Sequence, residues 1–78
     1  MIAIGSRVSW MVDGVQHTGT VIEVFFEAVT RILDDVEVTC LGSKENPAYL
    51  IADDRGVHTL RLKSEVRPET DILEEDAL

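Results

Sequence analysis

The sequence predicts an all-β domain, a small antiparallel barrel of about five strands with an extended hairpin arm and a short acidic C-terminal tail. Three observations predict it. β-Branched residues are frequent in this 78-residue chain, short alternating runs recur at regular spacing, and Gly-, Pro- and Asp-containing turn segments separate them. The predicted domain covers residues 1–67 and the tail covers residues 68–78. A chain of this length makes one domain with a thin core.

The first predicted element is a hairpin. The run RVSWMV alternates, so that Trp10 and the valines two residues away share one face. Asp13-Gly14 follows, and this dipeptide favours a two-residue hairpin turn because both turn positions take positive φ. The second strand is predicted over residues 16–24, with Gly19 marking a bend or bulge inside it.

The second predicted element, FFEAVTRILDDVEVTC, has features of both a helix and a hairpin. Apolar residues fall at helical spacing from Phe25 onward, yet β-branched residues are frequent and no capping residue precedes Phe25. Because VEVTC alternates cleanly, we favour a long hairpin that turns at Asp34-Asp35. We expect Phe25 and Phe26 to fill the core. Apolar residues on both faces of this arm predict a homodimer formed through residues 24–40.

The remaining body reads as two more strands. In GSKENPAYLI a polar loop leads into a strand, and Pro47 suits the first strand position, where no ladder donor is needed. DDRG is a turn in which Gly56 takes a left-handed conformation, and VHTLRL alternates as the next strand. KSEV predicts one tight helical turn before Arg67-Pro68 ends the body. The apolar spacing of the tail allows a short helix.

Charge and composition narrow the functional classes. The net charge is −8, and the body holds ten acidic against seven basic residues, which argues against a nucleic-acid-binding surface and against anionic membranes. No apolar run approaches the ~20 residues of a membrane helix. A lone cysteine, Cys40, and an N-terminus without signal-peptide features predict a cytoplasmic protein. His17 and His58 have no partner at ligand spacing and no glycine-rich phosphate loop occurs, so no metal or cofactor is predicted.

Several segments together resemble a known family. They are G-x-x-V-x-W from Gly5, GTVIEV from Gly19, ENPAYLI, and the SEV that ends at Val66. In this order they are similar to the Tudor-like domain of the hypervirulence-associated proteins, a family of largely unknown function. The resemblance covers most of the body and implies an SH3-like (Tudor-type) barrel. The chain departs from the family at Asp35, where a glycine is usual, and at Lys63, where a histidine is usual.

Five residues are the candidate binding residues. Trp10 and Tyr49 offer aromatic faces that could cage a methylated ammonium or stack on a proline, although both could equally pack the core. Lys44 lies in the loop before Tyr49 and could face a partner. Arg61 and Lys63, together with Arg67, could form a small basic edge that the acidic tail could cover.

We therefore expect a non-enzymatic binding module that engages a protein or peptide beside Trp10 and Tyr49, or along an open strand edge. A nucleic-acid-binding barrel is the first alternative. The second is an oligomeric enzyme like the type II dihydrofolate reductases, since GSRV and VHTLRL stand in similar places. The chain lacks the Gln-Ile-Tyr stretch that supplies the pore contacts of those enzymes.

Overall fold

The structure is a computed structural model that describes residues 2–69. Of the predicted tail, residues 68–78, the structure describes only Pro68 and Glu69, so the possible tail helix lies outside the described residues. Within this range the elements are β1 (Arg7–Val12), β2 (Val15–Phe25), β3 (Ala28–Leu33), β4 (Val36–Leu41), β5 (Ala48–Asp53), β6 (His58–Leu62), a 3-10 turn (Lys63–Glu65) and β7 (Arg67–Pro68).

The strands form two groups. One is an antiparallel five-stranded sheet in the order β6-β5-β2-β1-β7, and the other is a ribbon of β3 and β4. The predicted all-β class is confirmed. Closure into a five-stranded barrel is not, because no ladder between residues 2 and 69 joins the ribbon to the sheet. The predicted end of the body instead pairs with β1, where Pro68 lies opposite Val8 and Arg67 opposite Ser9.

Both predicted hairpin turns are present. Asp13 and Gly14 have φ of 49° and 81°, and Asp34 and Asp35 have φ of 53° and 64°. Two positive φ values in a two-residue loop match the right-handed twist of the flanking strands. The hairpin prediction for residues 25–40 is therefore confirmed, and the helical alternative is wrong.

Strand β2 contains a bulge, but not at Gly19. Val21 pairs with Ile51 and the next pair is Glu23 with Leu50, so Ile22 is the extra residue.

Gly19 has a different role. A Cβ atom built there would lie 2.5 Å from the carbonyl oxygen of Ala52 and 2.8 Å from Cα of Asp53. The glycine thus allows β2 and β5 to approach each other closely, which is the other common reason for a glycine inside a strand.

The buried side chains form two clusters. Since Tyr49 and Ile51 belong to one cluster while Ala48 and Leu50 belong to the other, strand alternation places the clusters on opposite faces of the sheet. The first cluster contains Val8, Trp10, Val21, Tyr49, Ile51 and Val66. The second, between the sheet and the ribbon, contains Val29, Ala48, Leu50 and Leu60, with Phe25, Val38 and Cys40 among the half-buried side chains around it.

Phe25 and Phe26 differ in burial. Phe25 packs against the second cluster, as predicted, and the Arg31 guanidinium lies 4.9 Å from the centre of its ring. Phe26 is 61% exposed, so the prediction that it fills the core is wrong. It follows the last residue of β2 and belongs to neither buried cluster of the described residues.

Candidate binding site

An apolar depression rimmed by lysines lies at the start of β5. We call it the lysine pocket, and it has a volume of about 340 Å³. Its walls come from β2, from the loop before β5, from the 3-10 turn and from the N-terminal segment. The lining residues are Ile2, Val24, Phe26, Lys44, Glu45, Pro47, Tyr49 and Lys63. Three of the five predicted binding residues, Lys44, Tyr49 and Lys63, are therefore brought together here.

Tyr49 forms the floor of the lysine pocket. Its side chain is 2% exposed and lies between Val24 of β2 and Arg61 of β6, its cross-strand neighbours. Burial raises the pKa of the phenol above its ordinary value. A neutral, apolar floor of this kind suits an aliphatic or aromatic side chain of a ligand.

The two rim lysines are the only lysines in the sequence. Lys44 comes from the loop and Lys63 from the 3-10 turn, so residues far apart in sequence converge at one rim. Neither ammonium group has a carboxylate within 4.0 Å among residues 2–69, where the two ion pairs both involve arginine. Glu45 lines the same pocket, which leaves the rim with a net charge of +1.

The rim is held in place by Asn46, whose side chain bridges the loop and the 3-10 turn. Its Nδ2 donates to Oγ of Ser64 at 3.1 Å, and its Oδ1 accepts from the Ser64 backbone N–H at 3.0 Å. Within the loop, the Asn46 backbone N–H donates to Oγ of Ser43 at 3.1 Å. We call these contacts the Asn46 clamp. They fix the loop that carries Lys44 against the turn that carries Lys63.

Two further hydrogen bonds complete this junction. The Lys63 backbone N–H donates to the carbonyl oxygen of Pro47 at 2.8 Å, and the Leu62 N–H donates to Oε1 of Glu65 at 2.8 Å. The polar residues of the ENPAYLI and SEV segments therefore build the frame of the lysine pocket. Their side chains act mainly on one another, and the neighbouring lysines remain open to a ligand.

Trp10 lies elsewhere. It is 6% exposed in the first cluster, and its ring stacks on His17 with 5.9 Å between centroids and 16° between planes. The cavity it lines, of about 610 Å³, also contains Glu65, Arg67 and Glu69 and no residue of the lysine pocket. The expected single groove beside Trp10 and Tyr49 is therefore wrong. The two rings share a core cluster but face different depressions.

Arg61 is the fifth predicted residue, and it does not line the lysine pocket. It pairs across the sheet with Tyr49, is half-buried, and its Nε is buried without a hydrogen-bond partner in the described residues. Its position beside Tyr49 adds positive charge behind the pocket floor. The predicted basic edge is thus divided, with Lys63 in the lysine pocket, Arg61 beside Tyr49, and Arg67 at the cavity that Trp10 lines.

At the opposite end of β5, a second set of charged residues forms ion pairs and hydrogen bonds within the set. We call it the Asp54 cluster. The Asp54 carboxylate accepts from Arg7 through both oxygens, at 2.8 and 3.1 Å, and from Oγ1 of Thr18 at 2.5 Å. Arg7 also donates to Oγ1 of Thr20 at 3.2 Å. The bonds from Arg7 and then Thr18 lower the pKa of Asp54 from 3.8 to about 2.

The neighbouring Asp53 is also satisfied locally. Its carboxylate accepts from the backbone N–H groups of Val57 and Arg55 and pairs with the Arg55 guanidinium at 3.2 Å. These contacts, led by the Val57 bond, lower the pKa of Asp53. In the described residues His58 pairs with neither carboxylate, since Asp53 pairs with Arg55 and Asp54 with Arg7.

Other chemistry-bearing groups do not gather into a site. Cys40 is half-buried against the second cluster, and burial raises the pKa of its thiol. Between residues 2 and 69, no three His, Cys, Asp or Glu side chains converge where they could hold a metal ion. In the same range no helix has the length and apolar character needed to cross a membrane.

The residues that sequence reasoning missed are the apolar walls of the lysine pocket, chiefly Ile2, Val24 and Phe26. One signal pointed to Phe26: adjacent residues of a strand face opposite sides, so Phe25 and Phe26 cannot both enter one core layer. Ile2 carries no such signal, because its place depends on how the N-terminal segment crosses the sheet.

A comparison with models of protein families finds a match to this chain. The sequence model described as the hypervirulence associated proteins TUDOR domain matches residues 5–66, which is most of the chain and includes the Asn46 clamp and every residue of the lysine pocket except Ile2. No curated protein and no solved structure matches significantly.

Proposed function

We propose that this chain, which belongs to the family of hypervirulence-associated protein TUDOR domains, is a non-enzymatic binding module. Domains of this kind are small β modules that commonly bind partners. In this chain, we propose, the lysine pocket receives a protein or peptide. The observation that carries the proposal is the convergence of an apolar floor, Tyr49, with the only two lysines of the sequence. A few charged groups around an apolar depression is the usual composition of a ligand site.

The pocket can act through apolar burial, aromatic contact and charge. Phe26 supports this proposal, because a 61% exposed phenylalanine next to a buried tyrosine offers a ligand an apolar surface that is otherwise in contact with water. The frame holds these groups in position, since the Asn46 clamp ties the loop that carries Lys44 to the 3-10 turn that carries Lys63. We propose the cytoplasm as the setting, on the grounds of a lone cysteine and an overall negative charge.

The test is a quantitative pull-down with three immobilised forms of the full chain: the parent, Phe26→Ser and Val15→Ser. Both substitutions remove an exposed apolar side chain, 61% exposed at Phe26 and 57% at Val15, but only Phe26 lines the lysine pocket. We expect a protein that the parent and Val15→Ser capture and Phe26→Ser loses. The proposal fails if no captured protein separates Phe26→Ser from the parent while thermal melting shows all three forms folded.

Phe26 is a sharper probe than Trp10. Removing the Trp10 side chain, which is 6% exposed, would leave a cavity in the first cluster and cost about 3–5 kcal/mol of stability. Lost binding would then report unfolding.

We also propose that the β3-β4 ribbon pairs two copies of the chain. Its outer face carries Ile32 and Leu41, each 73% exposed, beside the hydroxyl pair of Thr30 and Thr39. Light scattering at micromolar concentration should give a dimer mass for the parent and a monomer mass for the Ile32→Ser, Leu41→Ser double variant. A monomer mass for the parent refutes this arrangement without affecting the lysine pocket.

A further inference from the structure

We infer that the lysine pocket, if it binds a peptide as proposed above, selects one that carries a single carboxylate directly beside an apolar side chain. The carboxylate can belong to a chain end or to an Asp or Glu residue, since both present the same group. The inference rests on the distribution of charge across the molecule and on the composition of the pocket.

Among residues 2–69 both ion pairs involve arginines, whereas Arg31, Arg61 and Arg67 have no carboxylate within 4.0 Å; the two lysines differ from these in lining one pocket together. Two of the five arginines are paired with carboxylates, Arg7 with Asp54 and Arg55 with Asp53. Both lysines stand at the pocket rim with no carboxylate within 4.0 Å among residues 2–69. Among residues 2–69 the rim thus gathers two unpaired ammonium groups against one carboxylate, that of Glu45, in a chain whose net charge is −8.

The type of base also matters. An ammonium group is a compact point charge on a flexible stem, whereas a guanidinium is a planar fork suited to fixed bidentate pairing. Two lysines converging from different segments can close on one carboxylate from two sides. The Asn46 clamp joins the two segments that carry them, so the flexible lysine side chains make the final adjustment.

The pocket itself specifies the neighbour of that carboxylate. Below the lysines lie Tyr49 and Val24, with Phe26 on the wall, and the volume of about 340 Å³ accepts a side chain as large as phenylalanine or leucine. A ligand with the charge but no apolar group would leave this surface in water. A ligand with the apolar group but no charge would leave both ammonium groups unneutralised.

Glu45 limits the number of negative charges. Because it lines the same pocket, the rim carries a net +1, which one carboxylate neutralises. A second negative charge on the ligand would meet Glu45 and the negative surface of the body. This argues for a singly acidic peptide segment and against a polyanion such as a nucleic acid.

The experiment uses the full 78-residue chain labelled with ¹⁵N and a panel of short peptides monitored by NMR. The peptide N-acetyl-Gly-Ser-Phe with a free carboxylate is compared with its C-terminal amide and with N-acetyl-Gly-Ser-Gly, which lacks the apolar side chain. N-acetyl-Gly-Asp-Phe-Gly-amide supplies an internal carboxylate, and N-acetyl-Gly-Lys-Phe-Gly-amide reverses its charge. A thymidine oligonucleotide tests the polyanion.

We expect the amide signals of the loop and 3-10 turn to shift with either Phe-containing carboxylate peptide. The amide, glycine and lysine peptides should bind at least about tenfold more weakly. The Lys44→Gln, Lys63→Gln double variant should lose this preference. Arg31→Gln with Arg67→Gln removes the same charge outside the pocket and should keep it.

The outcomes separate this inference from the proposed function. If the acid and the amide shift the pocket signals equally, the carboxylate preference is wrong and the pocket remains a binding site. If the oligonucleotide shifts the pocket signals at lower concentration than any peptide, nucleic acid is the partner. If no probe shifts the pocket signals at concentrations up to about 10 mM, neither the inference nor the pocket stands.

Discussion

Strand β5 connects two ends of the molecule that use charge in different ways. At its Asp53 end, the Asp54 cluster pairs each acid with a base, and Thr18 and Thr20 fill remaining hydrogen-bonding positions. At its Ala48 end, polar groups of Asn46 and Ser64 bond to each other, and the neighbouring lysines have no acid partner in the described residues. The six residues of β5 thus separate a cluster whose charges are paired from a pocket whose lysines have no acid partner in the described residues.

The difference teaches where charge stabilises the fold and where it is available for a ligand. In the Asp54 cluster, the charges fasten β1, β2 and the turn after β5 together, so removing one affects the fold. At the lysine pocket, hydrogen bonds among neutral side chains and backbone groups do the fastening, so the lysine charges can change without disturbing it. Substitutions at the two ends should therefore separate stability from binding.

The largest expected effect is at Gly19, beside the Asp54 cluster. Gly19→Ala should lower the free energy of unfolding by about 2–3 kcal/mol in urea titrations, because the new Cβ would lie 2.5 Å from a backbone oxygen of the paired strand. Gly42→Ala near the lysine pocket is the matched control. Its Cβ would meet backbone atoms of Ala48 and Glu27 at 2.9 Å, so its loss should be smaller. Equal or reversed losses would show that the Asp54 end is not the tighter one.

The next effect concerns the Asn46 clamp. Asn46→Ala removes both bonds to Ser64 and should cost about 1–2 kcal/mol of stability. Ser64→Ala removes only the bond to the hydroxyl and should lower the stability less, because the backbone N–H of residue 64 still donates to Oδ1 of Asn46. Urea titration gives the stabilities, and faster amide hydrogen exchange at Lys63 in Asn46→Ala would report a loosened rim. Unchanged exchange would mean that the clamp does not position the pocket.

A smaller effect is expected from pH. The pKa of Asp54 is about 2 in the folded protein against an ordinary 3.8, so between these values the unfolded chain binds more protons. Stability from this group is present above the ordinary pKa and is lost as the pH falls through the folded pKa. Urea midpoints should drop between pH 4.5 and pH 2, and Asp54→Asn should flatten part of that drop. An unchanged slope in Asp54→Asn would place the acid sensitivity elsewhere, with Asp53 as the next candidate since its pKa is also lowered.

The smallest expected effect on stability comes from removing the lysine charges, in contrast to removing a charge of the Asp54 cluster. Lys44→Gln with Lys63→Gln should change the free energy of unfolding by no more than about 0.5 kcal/mol, because neither ammonium has an acid partner in residues 2–69. Arg7→Gln removes one charge, yet it should lower the urea midpoint more, since it breaks the bonds to Asp54. A clear loss of stability in the lysine variant would show that those charges serve the fold.

The local parts of this architecture follow from the sequence. Asp13-Gly14 and Asp34-Asp35 take the left-handed conformations that two-residue hairpin turns need, and the strands around them alternate as their side chains require. The 3-10 turn also lies where KSEV predicts it. These features depend on neighbouring residues only, which is why they could be read directly.

The parts that escaped prediction depend on contacts between distant segments. Asn46 bonds to a serine 18 residues away, and which depressions Trp10 and Tyr49 face depends on the strand order. The pairing of Arg67 with Ser9 is equally remote in sequence. Residue types in ENPAYLI and SEV indicated that both segments matter. They could not indicate that the segments bond to each other and frame a pocket between them.

The bulge at Ile22 explains why β2 can serve both faces of the sheet in one pass. Without the extra residue, strict alternation from Val21 would direct Val24 away from Tyr49 and Phe25 away from the second cluster. Because of the bulge, each residue of β2 after Ile22 faces the side of the sheet opposite to the one that simple alternation from Val21 would give. Loops of such a fold can lengthen or shorten during evolution at little cost. A single insertion or deletion in β2 would instead exchange core and pocket residues together, so the length of this strand is under a constraint that its composition alone does not reveal.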